Sequence, residues 1–204
     1  MNWVKYLIFI LVFGQLQAQK VTVSREIIVR NNLNYDIFPN IGDHTLFYHD
    51  RGSEQIFEIY DESLKFIREV EPEFEVRNIQ PVAVVPLDST LNFYYNYRED
   101  GNLITRAIRF DKDVNMIDSL TISIRDKNRT NTNARYVISN DKSKVLLFTP
   151  LDKQILLQLI DNRNLKIIYE YTLSIDGINL RAEFDKITLT DQGDIYIITR
   201  KNSL

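Results

Sequence analysis

Apolar and polar residues alternate with a period of two along most of the chain. Leu91, Phe93, Tyr95 and Tyr97 take turns with Asn92, Tyr94 and Asn96, the pattern of a strand with one buried face. Similar short runs recur at 46–48, 56–60, 103–110, 145–149, 155–160, 167–173, 187–190 and 195–199, and helical spacing is nowhere sustained. Polar clusters punctuate them as turns: Arg51-Gly52-Ser53, Glu99-Asp100-Gly101-Asn102, Asn140-Asp141-Lys142-Ser143 and Asp191-Gln192-Gly193-Asp194. The pattern predicts an all-β protein.

The runs also repeat. Tyr60-Asp61-Glu62-Ser63-Leu64-Lys65-Phe66-Ile67 returns as Phe110-Asp111-Lys112-Asp113-Val114-Asn115-Met116-Ile117, then as Ile160-Asp161-Asn162-Arg163-Asn164-Leu165-Lys166-Ile167-Ile168, with the aspartates 50 residues apart. Asp43, Asp88, Asp141 and Asp191 form a second series at intervals of 45, 53 and 50. A period of that length marks one supersecondary unit buried by its neighbours, and four short strands per unit is the count of a β-propeller blade. The expected fold is a β-propeller of four-stranded antiparallel blades at 37–70, 81–123 and 135–173, with a partial blade at 184–204. About three and a half blades imply either the N-terminal part of a larger propeller or a small irregular four-bladed ring. The strand candidate 21–30 is expected to add to the last blade, whose open edge otherwise invites association.

Over residues 37–199 these repeats resemble the secreted β-propeller proteins, mostly uncharacterised, that some Gram-negative bacteria export. The Trp-Asp dipeptide, the kelch double glycine, the Tyr-Trp-Thr-Asp motif and the Ser-x-Asp-x-Gly-x-Thr-Trp box are missing, so no characterised propeller family's functional residues carry over. With six glycines and five prolines, the turns rely on Asn, Asp and Lys.

Residues 1–18 read as an export signal: Lys5 is the positive region, 6–14 are uncharged and mostly apolar, and Ala18 is the small residue before the cut. Residues 19–204 then form the propeller domain, periplasmic or extracellular, with no other stretch long enough to cross a bilayer. Loss of Lys5 takes the formal charge from −3 to −4, and nothing basic points to nucleic acid. The absence of cysteine excludes disulfides and a lipidated-cysteine anchor, so packing alone must hold the fold.

The repeated Asp61, Asp111 and Asp161 fall at the turn between the third and fourth strands, where a carboxylate can accept hydrogen bonds from N–H groups two or three residues on. Folding needs such a device in every unit and catalysis needs it once, so their role is read as structural. His44 and His49, five apart on one strand, point to opposite faces and cannot share a metal. Glu69, Glu71, Glu73 and Glu75 alternate around Pro72, which would suit either a hard cation such as calcium or a solvated connection. No metal and no cofactor is assigned. No nucleophile motif is present and no catalytic residue is assigned. Trp3 leaves with the signal; Tyr94, Tyr95, Tyr97, Tyr169 and Tyr171 could be stacking platforms or blade packing. Asp88-Ser89-Thr90 and Asp118-Ser119-Leu120 are similar to the Asp-Ser/Thr-apolar site where certain Gram-negative bacteria attach O-glycans.

In a meander the first-to-second and third-to-fourth turns share one end, and the remaining connections share the other. The repeated aspartates mark the first end, whereas length varies at the second, where function usually resides. Arg51, Arg98, Arg125, Lys127, Arg129, Asp152 and Lys153 are therefore the candidate contact surface. The expected function is an exported non-catalytic binding or scaffold module recognising a protein or glycan at the cell envelope. The alternatives are the N-terminal part of a propeller hydrolase or lyase whose active site lies in other blades, and a truncated product without independent function.

Overall fold

The computed structural model describes residues 34–52, 54–126, 134–151, 153–179 and 183–200. Among the described residues, fourteen strands form four antiparallel sheets. Blade 1 is β1 (Asn34–Ile41), β2 (His44–Asp50), β3 (Gln55–Tyr60) and β4 (Phe66–Val70); blade 2 is β5 (Gln80–Pro86), β6 (Thr90–Glu99), β7 (Asn102–Asp111) and β8 (Met116–Asp126). Blade 3 is β9 (Arg135–Ile138), β10 (Lys144–Pro150), β11 (Gln154–Asp161) and β12 (Lys166–Ser174), and β13 (Phe184–Leu189) pairs with β14 (Ile195–Thr199) as half of a fourth. Each sheet is a simple meander in chain order. The β6–β7 ladder is unbroken from Thr90↔Asp111 to Glu99↔Asn102, closed by Asp100 and Gly101 at φ 47° and 78°, as a tight type I′ hairpin requires.

The sheets stack face to face. Phe57, Phe93 and Phe110 centre the core between blades 1 and 2, joined edge-on by Phe74 and Tyr48. Tyr94, Ala107, Val145, Leu147 and Ile160 fill the seam between blades 2 and 3. Leu146, Phe148, Leu157, Ile187 and Leu189 fill the next. Strand β10 shows why the runs are continuous: Val145 and Leu147 serve one seam while Leu146 and Phe148 serve the other.

The same geometry corrects the half-buried reading of β6. Residues 91–97 are all at most 7% exposed, Asn92 and Asn96 included, because a blade packs on either side. Strands β5, β9 and β13 approach one another at the inner side of the stack, and the fourth strands lie outermost, with β4 and β12 largely exposed. This is β-propeller architecture, with the ring not closed among the described residues. The first blade begins at Asn34 and the second ends at Asp126, slightly beyond the limits of 37 and 123 expected from the sequence. The signal, its cut after Ala18 and the strand candidate 21–30 lie outside the described residues, and no described helix is long and apolar enough to cross a membrane.

Candidate interaction surface

One end of the stack is built from the repeated turns. Asp61 Oδ1 accepts the N–H groups of Ser63 and Lys65, both at 2.9 Å. Asp111 Oδ1 accepts those of Asp113 at 2.9 Å and Asn115 at 2.8 Å, and Asp161 Oδ1 those of Arg163 at 2.9 Å and Asn164 at 3.0 Å. The last turn is one residue longer, which moves its second bond from the fourth residue to the third. Burial pushes the Asp111 and Asp161 carboxyls up, but the bonds from the Asn115 and Asn164 side chains and from backbone N–H groups outweigh it, leaving both below the usual carboxylate range. Each turn closes on a left-handed residue, Leu64, Val114 or Leu165, at φ 58°, 64° and 50°. Val114 and Leu165 are buried and plug the seams toward the preceding blade, whereas Leu64 is exposed.

Polar groups at this end tie one blade to the next. Gly42 N–H donates to the Asp88 carbonyl at 2.7 Å, and Lys112 Nζ to Asp43 Oδ1 at 2.6 Å. The Lys112 bond, then that of His44, brings the Asp43 carboxyl down to about 2. Arg68 reaches Asp113, Asp141 N–H donates to Asp191 Oδ1 at 3.0 Å, and Lys144 Nζ donates to the Asp191 carbonyl. At the seam of blades 2 and 3 the hub is Asn162, fully buried. Its Oδ1 accepts from Asn92 Nδ2 at 2.6 Å and Tyr94 Oη at 2.7 Å, its carbonyl from Arg109 at 2.7 Å, and its Nδ2 donates to the Lys142 carbonyl at 2.9 Å. A cleft of about 540 Å³ opens beside these ties, lined by Phe38, Asp88, Ser89, Lys142 and Arg163 among others.

The opposite end carries residues 71–79 and 175–179 together with the described tips of the hairpins. Clefts among the described residues open there. One of about 420 Å³ lies between the first two blades and is lined by Asp36, Tyr48, Asp50, Pro81 and Val82. Another of about 600 Å³ is lined by Gln55, Glu71, Phe74, Arg77 and Asn78, and a third of about 480 Å³ by Lys153, Gln154, Ile175, Gly177 and Asn179.

Of the residues predicted for the contact surface, Arg51, Arg98 and Lys153 are exposed at this end, one from each complete blade. Arg125 differs: it is half-buried in the seam, with NH1 donating to Thr149 Oγ1 at 3.1 Å. Lys127, Arg129 and Asp152 lie outside the described residues. Glu75 pairs with Arg106 while the intervening Phe74 enters the aromatic core, so the four glutamates do not act as one ligand row. Among the described residues no three histidine or carboxylate groups gather as a metal site. His44 lies 2.5 Å from Asp43, and His49 sits buried 3.9 Å from Glu58. Tyr94, Tyr95 and Tyr97 are buried packing residues, while Tyr169 and Tyr171 stay exposed on β12.

Sequence reasoning passed over Asn92, Arg109 and Asn162. The available signal was the asparagines recurring at alternate positions within an otherwise aromatic strand, which a merely solvated face would not need.

No protein-family model matches the chain, and no curated protein matches it by sequence. Among solved structures it is similar to a Dos1 propeller, at 9% identity and TM-score 0.46, over 76% of this chain and 39% of that one. It is also similar to the Nup133 β-propeller domain of Vanderwaltozyma polyspora, at 12% identity and TM-score 0.41, over 88% of this chain and 57% of that one. The chain thus spans about two to three fifths of the length of these two propellers, and the fold stands on its own strand topology.

Proposed function

We propose that the chain is an exported, non-catalytic binding module that holds a protein or glycan of the cell envelope on the end carrying the variable connections. The observation behind this reading is the asymmetry between the two ends. At the turn end, charged and amide groups are engaged from blade to blade. At the other, residues 71–79 and 175–179 line two open clefts, a third opens beside Asp50 and Pro81, and Arg51 and Lys153 are exposed there. Loops on such a scaffold can take a ligand without disturbing the fold. Export is supported by the composition of residues 1–18.

The test is binding of the purified chain to envelope glycans and isolated envelope proteins, with charge reversals as controls. Arg51→Glu and Lys153→Glu should abolish the interaction, whereas Arg163→Glu at the turn end should leave it unchanged. Loss through Arg163→Glu with retention in the other two would place binding on the wrong end and overturn the reading.

A further inference from the structure

The cleft of about 540 Å³ at the turn end lies where the three complete blades meet, and Pro39, Asp88, Ser89, Lys142 and Arg163 around it are exposed, so it has both room and an open mouth. Each blade brings a different chemistry to it. Blade 1 contributes Ile37, Phe38 and Pro39 from β1, and blade 2 adds Pro86 and Leu87 at the start of the β5–β6 turn, which together make an apolar lining. Asp88 follows in the same blade 2 turn, while Asp141, Lys142 and Arg163 come from two turns of blade 3.

The four charges are not equivalent. Asp141 Oδ1 accepts the Ser143 N–H at 2.9 Å and the hydroxyls of Ser143 and Ser139 at 2.7 and 2.8 Å. The bonds from Ser143, backbone first, and then that from Ser139 hold the Asp141 carboxyl well below the usual carboxylate range, and its Oδ2 stands 4.0 Å from Arg163 NH2. Arg163 and Asp141 therefore offset one another. Lys142 and Asp88 are left over. Their backbone groups are engaged, the Lys142 N–H with the Ser139 carbonyl and the Asp88 carbonyl with Gly42 N–H. Among the described residues, however, neither the Lys142 ammonium nor the Asp88 carboxylate has a hydrogen bond or an ion pair, and the two do not pair with each other.

One free anion on blade 2 and one free cation on blade 3, sharing a cleft without touching, select against a ligand of single charge, which is drawn by one and repelled by the other. A ligand with a charge of each sign at its two ends gains from both. The apolar lining suits the body between those ends, and the volume falls within the roughly 300–1,000 Å³ of small-molecule sites.

We propose that this cleft binds a small zwitterion with an apolar body, an amino acid or short peptide with both ends free, its ammonium toward Asp88 and its carboxylate toward Lys142. The site is separate from the end carrying the variable connections and does not depend on what that end holds.

The experiment is calorimetric titration of the purified chain at neutral pH with leucine, dileucine and trileucine, each also in N-acetylated and in C-amidated form. At least one free-ended compound should bind saturably, and the length that binds separates an amino acid from a peptide. Capping either end should weaken binding about tenfold, the worth of one hydrogen bond to a charged group. Asp88→Asn should remove the penalty for acetylation and keep that for amidation, and Lys142→Gln should do the converse. Both side chains are exposed, so neither change threatens the fold. Absence of binding by all three free-ended compounds, capped compounds that bind as tightly as free ones, or variants that keep both penalties or weaken free and capped ligands by the same factor would each overturn the proposal.

Discussion

Replacing Asn162 by alanine should do more damage than any other single substitution in the turns. The side chain makes three hydrogen bonds from a fully buried position: Oδ1 to Asn92 and Tyr94, and Nδ2 to the Lys142 carbonyl. Asn92 keeps a bond to the Asn162 carbonyl at 2.6 Å after truncation, so its loss is partial. The Tyr94 hydroxyl and the Lys142 carbonyl are stranded, at about 1–3 kcal/mol each for a buried group without a partner. Tyr94 cannot escape by ionising, since burial pushes its hydroxyl far above the usual range. The sum is about 2–6 kcal/mol, equivalent to a fall of roughly 4–24 °C in melting temperature for a chain of this size. Urea denaturation followed by circular dichroism measures it. Arg163→Ala, in the same turn but exposed, should stay within about 0.5 kcal/mol. Tyr94→Phe should cost about 1 kcal/mol alone and couple to Asn162→Ala by a similar amount, because the two share one bond. If Asn162→Ala lies within about 1 kcal/mol of the parent, the apolar core holds this seam unaided and the hub is idle.

Three further outcomes are expected. Asp111→Ala should cost about 0.5–2 kcal/mol at neutral pH. Because the folded Asp111 carboxyl titrates below its unfolded value, that contribution is present above about pH 4 and is lost as pH falls through the folded pKa, so melting curves of parent and variant should converge in acid. Leu64→Gly should stabilise by about 0.5–1 kcal/mol by relieving a left-handed residue whose side chain is exposed, while Val114→Gly should destabilise because the burial lost exceeds the strain relieved; guanidinium unfolding of the pair separates the two effects. Mass spectrometry of the exported protein should find Gln19 at or within a few residues of its N-terminus, and recovery of an intact Met1 in the exported fraction would refute the signal.

Much of the fold was legible because a propeller repeats its instructions. The aspartate series marks the same turn three times, and period-two runs between marks count out four strands per blade. What the pattern hid was which faces are buried. In β6 the polar face holds Asn92 and Asn96, which alternation alone reads as solvent-facing, yet both are buried because blade 3 covers them. An amide on a covered face must find a partner, and Asn92 finds Asn162, 70 residues away. Asn162 occupies the position of Glu62 and Lys112 in the sister turns, so the repeat itself disguised the residue on which the seam depends.

The misplacement of Arg125 has a similarly local cause. A second blade ending at 123 leaves Arg125 beyond its last strand, whereas β8 continues to Asp126. A bulge then decides the side on which it lands: Ser123 pairs with Thr105 and Thr121 with Arg106, leaving Ile122 between them without a partner. Without that extra residue, Ser119, Thr121, Ser123 and Arg125 would all share one face. With it, Ser119 stays beside Arg106 while Ser123 and Arg125 cross to the blade 3 side, and Ile122 drops into the core of that seam. Period-two reading cannot locate a bulge, since the inserted residue is as apolar as its neighbours Leu120 and Ile124. One residue of slip thus turns a cation expected on the surface into a half-buried donor that ties blade 2 to blade 3.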